Sequence, residues 1–133
     1  MKHILTLLTL TLAALPGTLW AQPALSFEQT AQELGTLLWH TPRTATFRLT
    51  NKSTTDLVIT DVRTDCGCTV ADWTRTPISP GDKGTIQATY DAEMLGHFHK
   101  NLAVYTNLSD KPVYLALMGQ VSMTQTEASV EYP

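Results

Sequence analysis

The chain has 133 residues, with nine Lys and Arg against twelve Asp and Glu, and only two cysteines. No cluster of basic residues is present, so nothing supplies the Lys and Arg that bind a phosphate backbone, and no nucleic-acid partner is expected. A disulfide-stapled miniprotein is also excluded, because two cysteines allow a single intramolecular bridge and the length suffices for a core without one.

The first 21 residues read as a signal peptide rather than as fold. Met1-Lys2-His3 carries one positive charge, Ile4 to Leu15 is apolar and broken only by threonines, and Pro16-Gly17 ends the run before Leu19-Trp20-Ala21. That is the layout of a secretory leader, with cleavage expected after Ala21. Its apolar core of about a dozen residues is shorter than the roughly 20 that a spanning helix needs. No second run of that length follows and no cysteine stands at the cut. The expected product is therefore exported, periplasmic or secreted, without a membrane anchor. Removing 21 residues from 133 leaves 112, enough for one domain. Eight Lys and Arg then face all twelve acidic residues, a net charge of −4 with His neutral.

Strand patterns fill residues 22–121. Ala24 to Phe27 alternates, and Glu33 to Leu38 reads as a second short strand. Arg43 to Thr50 is clearer, with Ala45, Phe47 and Leu49 on one face and Thr44, Thr46, Arg48 and Thr50 on the other. Asn51 to Thr55 closes it as a turn. From Leu57 the apolar parity changes before Val62, so a bulge is expected near Thr60-Asp61. If extended pairing continues, Val62, Thr64, Cys66 and Cys68 face the same way. Pro80-Gly81 is a turn leading into a strand from Thr85 to Tyr90. Gly96 opens a run with Phe98, Leu102 and Val104 on one face, His97, His99, Asn101 and Tyr105 on the other, and Lys100 interrupting the apolar side. Val113 to Val121 carries apolar groups on both faces, and Ser122 to Pro133 reads as a polar tail. Phe47, Ile86 and Val104 are the expected centre of the core.

About seven short strands and no convincing helix predict an all-β fold, an immunoglobulin-like antiparallel β-sandwich. Asn51-Lys52-Ser53 and Asn107-Leu108-Ser109 are formal glycosylation sequons, but asparagine at a strand end is more often a turn residue.

The chemistry of the chain is concentrated in Asp65-Cys66-Gly67-Cys68-Thr69, followed by Trp73 and Pro77-Ile78-Ser79-Pro80-Gly81. Cys66 and Cys68 can be a packed pair of free thiols where a strand leaves its sheet, with Gly67 allowing a turn. They can also form a disulfide, although Cα atoms two apart in a strand lie roughly 6.6 Å from each other and Gly67 would have to fold the chain sharply. As a third alternative they can chelate a soft ion, two thiolates suiting Cu(I) and a set completed by His97 and His99 suiting zinc. Trp73 either covers the pair or stands at a partner surface. No Gly-x-Ser-x-Gly, His-Glu-x-x-His or phosphate loop is present, so no catalytic residue is assigned and no enzyme is expected. A protein-binding or structural module of the envelope is the leading expectation, with no cofactor. A thiol-redox or Cu/Zn protein working through Cys66 and Cys68 is the alternative.

The order Phe47…Leu49…Asn51, Leu57-Val58-Ile59, Cys66-Gly67-Cys68-Thr69, Trp73, Pro77-Ile78-Ser79-Pro80-Gly81, Gly84, Tyr90, Phe98 and Val104…Asn107 resembles the DUF1573 family of exported bacterial proteins. That family is similar to immunoglobulin-like modules of the ASPM, SPD-2 and Hydin type. The resemblance covers roughly Ala24 to Val121 and implies a β-sandwich, an envelope or secreted location and no assigned activity.

Overall fold

The computed structural model describes residues 23–124 together with residues 13, 14 and 17. Most of the expected signal peptide and tail lie outside the described residues. Eight strands follow one another: β1 (Leu25–Phe27), β2 (Ala31–Leu38), β3 (Arg43–Asn51), β4 (Ile59–Thr64), β5 (Thr69–Trp73), β6 (Lys83–Tyr90), β7 (Gly96–Thr106) and β8 (Ser109–Ser122). They form two four-stranded sheets, ordered β1-β3-β6-β5 and β2-β8-β7-β4.

Period-two alternation places the core. In β3 and β6, Phe47 lies opposite Ile86 and Ala45 opposite Ala88, and all four point inward and are buried. The second sheet answers with Phe98, Leu102 and Val104 from β7 and Leu115, Leu117 and Val121 from β8. Tyr90 of the first sheet stacks on Phe98 of the second, ring centroids 4.0 Å apart. Gly119 makes room beside Phe98, since a Cβ there would lie 2.7 Å from the Gly35 carbonyl and 2.8 Å from Phe98 Cζ. The expected bulge is present: the β4–β7 register shifts between Ile59 and Asp61, and Val62 turns inward. Lys100 keeps its inward parity opposite Leu117 and is half-buried, as a side chain with a packed stem and a wet ammonium would be.

Three expectations are corrected. The extended pairing expected through the cysteines stops at Thr64, and Thr69–Trp73 is a separate strand of the other sheet, which makes eight among the described residues where about seven were expected. Thr64, Cys66 and Cys68 therefore do not continue one face. The second sheet is also mixed, since β2 runs parallel to β8. β1 belongs to the first sheet and β2 to the second, and β2 and β8 finish at the same end of the sandwich, with Leu38 opposite Ser122. Finally, β8 reaches Ser122, one residue into the expected tail.

At one end of the sandwich, Asn51 organises two loops. Its buried amide donates to the Thr55 and Ile78 carbonyls, both at 2.8 Å, and its Oδ1 accepts from Ser53 N and Ser53 Oγ. Gly81 takes φ 84° in a turn closed by Asp82 N donating to the Ser79 carbonyl at 2.9 Å. Proline followed by glycine at the two central positions is what a type II turn requires. Asn107 does similar work at the surface, accepting from Val58 N at 2.7 Å and donating to the Asp56 carbonyl at 3.0 Å. Both sequon asparagines thus have their amide nitrogens engaged in hydrogen bonds.

Candidate functional site

The opposite end carries the cysteines. β4 closes at Asp65, whose carboxylate accepts from Asn101 N at 2.8 Å while its own N donates to the Asn101 carbonyl at 3.3 Å. The chain then turns through Cys66-Gly67-Cys68 and enters β5 in the other sheet, so this turn is the corner between the two sheets. Cys66 and Cys68 are joined by a disulfide, their Cα atoms 5.2 Å apart. The free-thiol alternative is therefore corrected, and so is the extended geometry assumed against a bond: the turn brings the Cα atoms well inside the roughly 6.6 Å of a strand. Gly67 sits at the exposed apex without a positive φ.

The corner is held by its backbone. Thr64 Oγ1 donates to the Cys66 carbonyl at 3.0 Å, and Asp91 N donates to the Cys68 carbonyl at 2.9 Å. Cys68 packs against the hydrophobic core, with its sulfur 3.9 Å from the hydroxyl of buried Thr69.

The other motif residues lie elsewhere. Trp73 ends β5 opposite Ile86, one strand length from the cysteines. It does not cover them and is capped by the Arg75 guanidinium, 3.6 Å above its ring. Trp73 also lines a shallow cavity of about 160 Å³ with Asp72, Thr74, Thr85 and Gln87. Pro77, Pro80 and Gly81 belong to the Asn51 end, where Ile78 is bridged to Leu57. His97 and His99 stand exposed on the outer face of the second sheet, opposite Gln120 and Met118. Among the described residues no three His, Cys, Asp or Glu side chains converge as ion ligands, so the Cys and His pairs are not assembled into one site.

What the structure gathers around the disulfide was not singled out in the sequence. Trp39 and His40 follow β2, Asp91 to Leu95 connect β6 to β7, and Met123 follows β8. These loops are tied to one another. His40 N donates to the Ala92 carbonyl at 3.1 Å and Trp39 N to the Ser122 carbonyl at 2.9 Å. Trp39 Nε1 donates to the Glu93 carbonyl at 3.0 Å, and His40 Nδ1 meets the Glu93 carboxylate at 2.7 Å. His40 and Ala92, joined by one of these bonds, have φ of 60° and 57°, a left-handed conformation costing a non-glycine residue about 1–3 kcal/mol. Tyr90 lies beneath, its hydroxyl pKa raised first by burial and then by neighbouring Asp91. Exposed apolar side chains crowd the same end: Trp39 36%, Val70 69%, Met94 70%, Leu95 53% and Met123 59%. The apolar pair Met94-Leu95 between two strands was the sequence signal for this cluster.

The family model described as a protein of unknown function, DUF1573, matches residues 25–121. The chain belongs to the DUF1573 family. No curated protein matches it. Among solved structures, a protein of unknown function from Porphyromonas gingivalis W83 is similar at 17% identity and TM-score 0.64, over 73% of this chain and 46% of that one. The PapD-like domain 7 of human CEP192 is similar at 9% identity and TM-score 0.63, over 85% and 97%. The VesB protease of Vibrio cholerae aligns at 14% identity and TM-score 0.60, over 73% and 32%. The chain spans less than half of the first and a third of the last. At these identities the likeness shows the immunoglobulin-like, PapD-like fold alone.

Proposed function

We propose that this DUF1573 chain is an exported, non-catalytic module that binds a protein partner through its disulfide end. The observation that carries this is the placement of exposed apolar side chains: Trp39, Val70, Met94, Leu95 and Met123 all stand at that end, and only Tyr114 among the other exposed large hydrophobic side chains stands elsewhere in the described residues. Scattered apolar residues need no explanation, but a concentrated group rimmed by polar residues marks an interaction site. Val70 stands on the outer face of β5 beside this group. The loops bearing Trp39, Met94, Leu95 and Met123 are cross-linked by hydrogen bonds and hold two residues at positive φ, so the surface is ordered before a partner arrives and loses little entropy on binding. Asp91 and Glu93 belong to the same connection as Met94 and Leu95. The fitting partner is a protein segment with apolar side chains flanked by Lys or Arg.

Site-specific photo-crosslinkers at Met94 and at Thr46, on the polar outer face of the first sheet, test this in the host cell. Met94 should give one heterologous adduct, identified by mass spectrometry and lost in Leu95→Asp, and Thr46 none. A self-adduct, or equal adducts from both positions, would overturn the proposal. Export predicts an intact mass for the mature chain beginning near Gln22, and a chain retaining Met1 would contradict it.

A further inference from the structure

We infer that the Cys66–Cys68 disulfide is a thiol–disulfide exchange site whose natural co-reactant is a dithiol, with Cys66 as the sulfur that is attacked. Three observations carry this, independently of the docking surface. The bond closes across a single residue, so it restricts the unfolded chain very little and adds little to fold stability. The large two-sheet core is built without it, and the corner is fixed by hydrogen bonds through backbone carbonyls that reduction leaves in place. The two sulfurs are also unequal. Both cysteines are half-buried, but Cys68 packs on the core and lies beside the Thr69 hydroxyl, whereas Cys66 is not among the residues packed on the core.

An incoming thiolate reaches Cys66 Sγ more easily. A new S–S bond forms between the reductant and Cys66, the Cys66–Cys68 bond breaks, and the electron pair leaves on Cys68 Sγ, which takes up a proton. Thr69 Oγ1 is placed to donate to that departing thiolate. The second thiolate of the dithiol then attacks its own sulfur in the mixed disulfide and releases Cys66 as a thiolate, which is protonated in turn. The chain gains two electrons and two protons while the dithiol becomes a disulfide. The reverse sequence re-forms the bond.

Dithiothreitol is the probe for the first arm. In native buffer it should release two titratable thiols per chain while the cooperative thermal transition is retained. Thiols appearing only in denaturant, or loss of the transition on reduction, would overturn the inference. In the second arm, the single thiols left in Cys68→Ser and Cys66→Ser are each reacted with oxidised glutathione. Cys66 should form the mixed disulfide at least about tenfold faster than Cys68. Equal rates, or the reverse order, would refute the assignment of the attacked sulfur, and melting curves of both variants establish that each is folded when the rates are read.

Discussion

Replacing Asn51 by alanine removes four side-chain hydrogen bonds from a fully buried position. At a net value of about 1 kcal/mol for each bond, the upper figure is about 4 kcal/mol. Two of the partners are not orphaned: the Ile78 carbonyl also accepts from Leu57 N at 2.9 Å, and the Thr55 carbonyl from Ser53 Oγ at 2.8 Å. Ser53 N keeps no other partner, and its half-buried position lets water reach it. The expected loss is therefore about 2–3 kcal/mol. The main-chain bonds of Asn51 to Asp82 and Gly81 survive the truncation, so the variant should fold. Asn107→Ala is the matched control, with two bonds at an exposed site and an expected loss of about 0.5–1 kcal/mol. Urea unfolding followed by tryptophan fluorescence measures both. Equal losses, or a loss below about 1 kcal/mol for Asn51→Ala, would refute the claim that this buried amide fastens the two loops.

Phe47→Ala opens a void at a fully buried site facing Ile86 and should cost about 3–5 kcal/mol in denaturant unfolding. Tyr90 has its pKa raised by burial, so the native state holds its proton where the unfolded chain loses it. Its contribution is complete below the ordinary tyrosine value of 10.0 and declines as pH rises from there toward the native pKa. Tyr90→Phe should flatten the alkaline fall in stability, measured by thermal melts above pH 10.0. Cys66→Ser with Cys68→Ser should cost less than about 2 kcal/mol, because so short a ring removes little chain entropy. Melts of the wild type with Zn²⁺ or Cu(I) should show no stabilisation that the double variant lacks; one confined to the wild type would restore the metal site.

The core was legible because it depends on period two alone. Phe47, Ile86 and Val104 follow from alternation within their own strands, and the parity break between Ile59 and Val62 announced the bulge. The β4–β5 corner was not legible. Thr64 to Trp73 contains no proline and keeps a plausible alternation, so Gly67 offered a turn as one alternative without deciding that the chain changes sheets. That decision is made by Asp65 closing β4 on Asn101 and by Thr69 pairing with Tyr90, contacts 36 and 21 residues apart in sequence. The same distance effect left open whether Trp73 covers the cysteines and where the Pro77–Gly81 turn lies. They follow the cysteines closely in sequence, yet β5 carries them to the other end of the sandwich.

Those two ends use their polar groups differently, and the difference bears on function. At the Asn51 end, side-chain amides satisfy loop backbone and Leu57 and Ile78 are drawn into the core. At the disulfide end the loops bind one another mostly through main-chain groups, which leaves Trp39, Met94 and Leu95 directed at solvent. Holding His40 and Ala92 at positive φ carries a cost that a glycine at either position would avoid. The sequence does use glycine at positive φ at 35, 81 and 96. Relieving the strain at Ala92 with glycine would free the loop that presents Met94 and Leu95, and a looser loop would have to be ordered again on binding. Two residues held at positive φ in cross-linked loops, beside apolar side chains that the core does not use, are what the docking proposed for this end draws on.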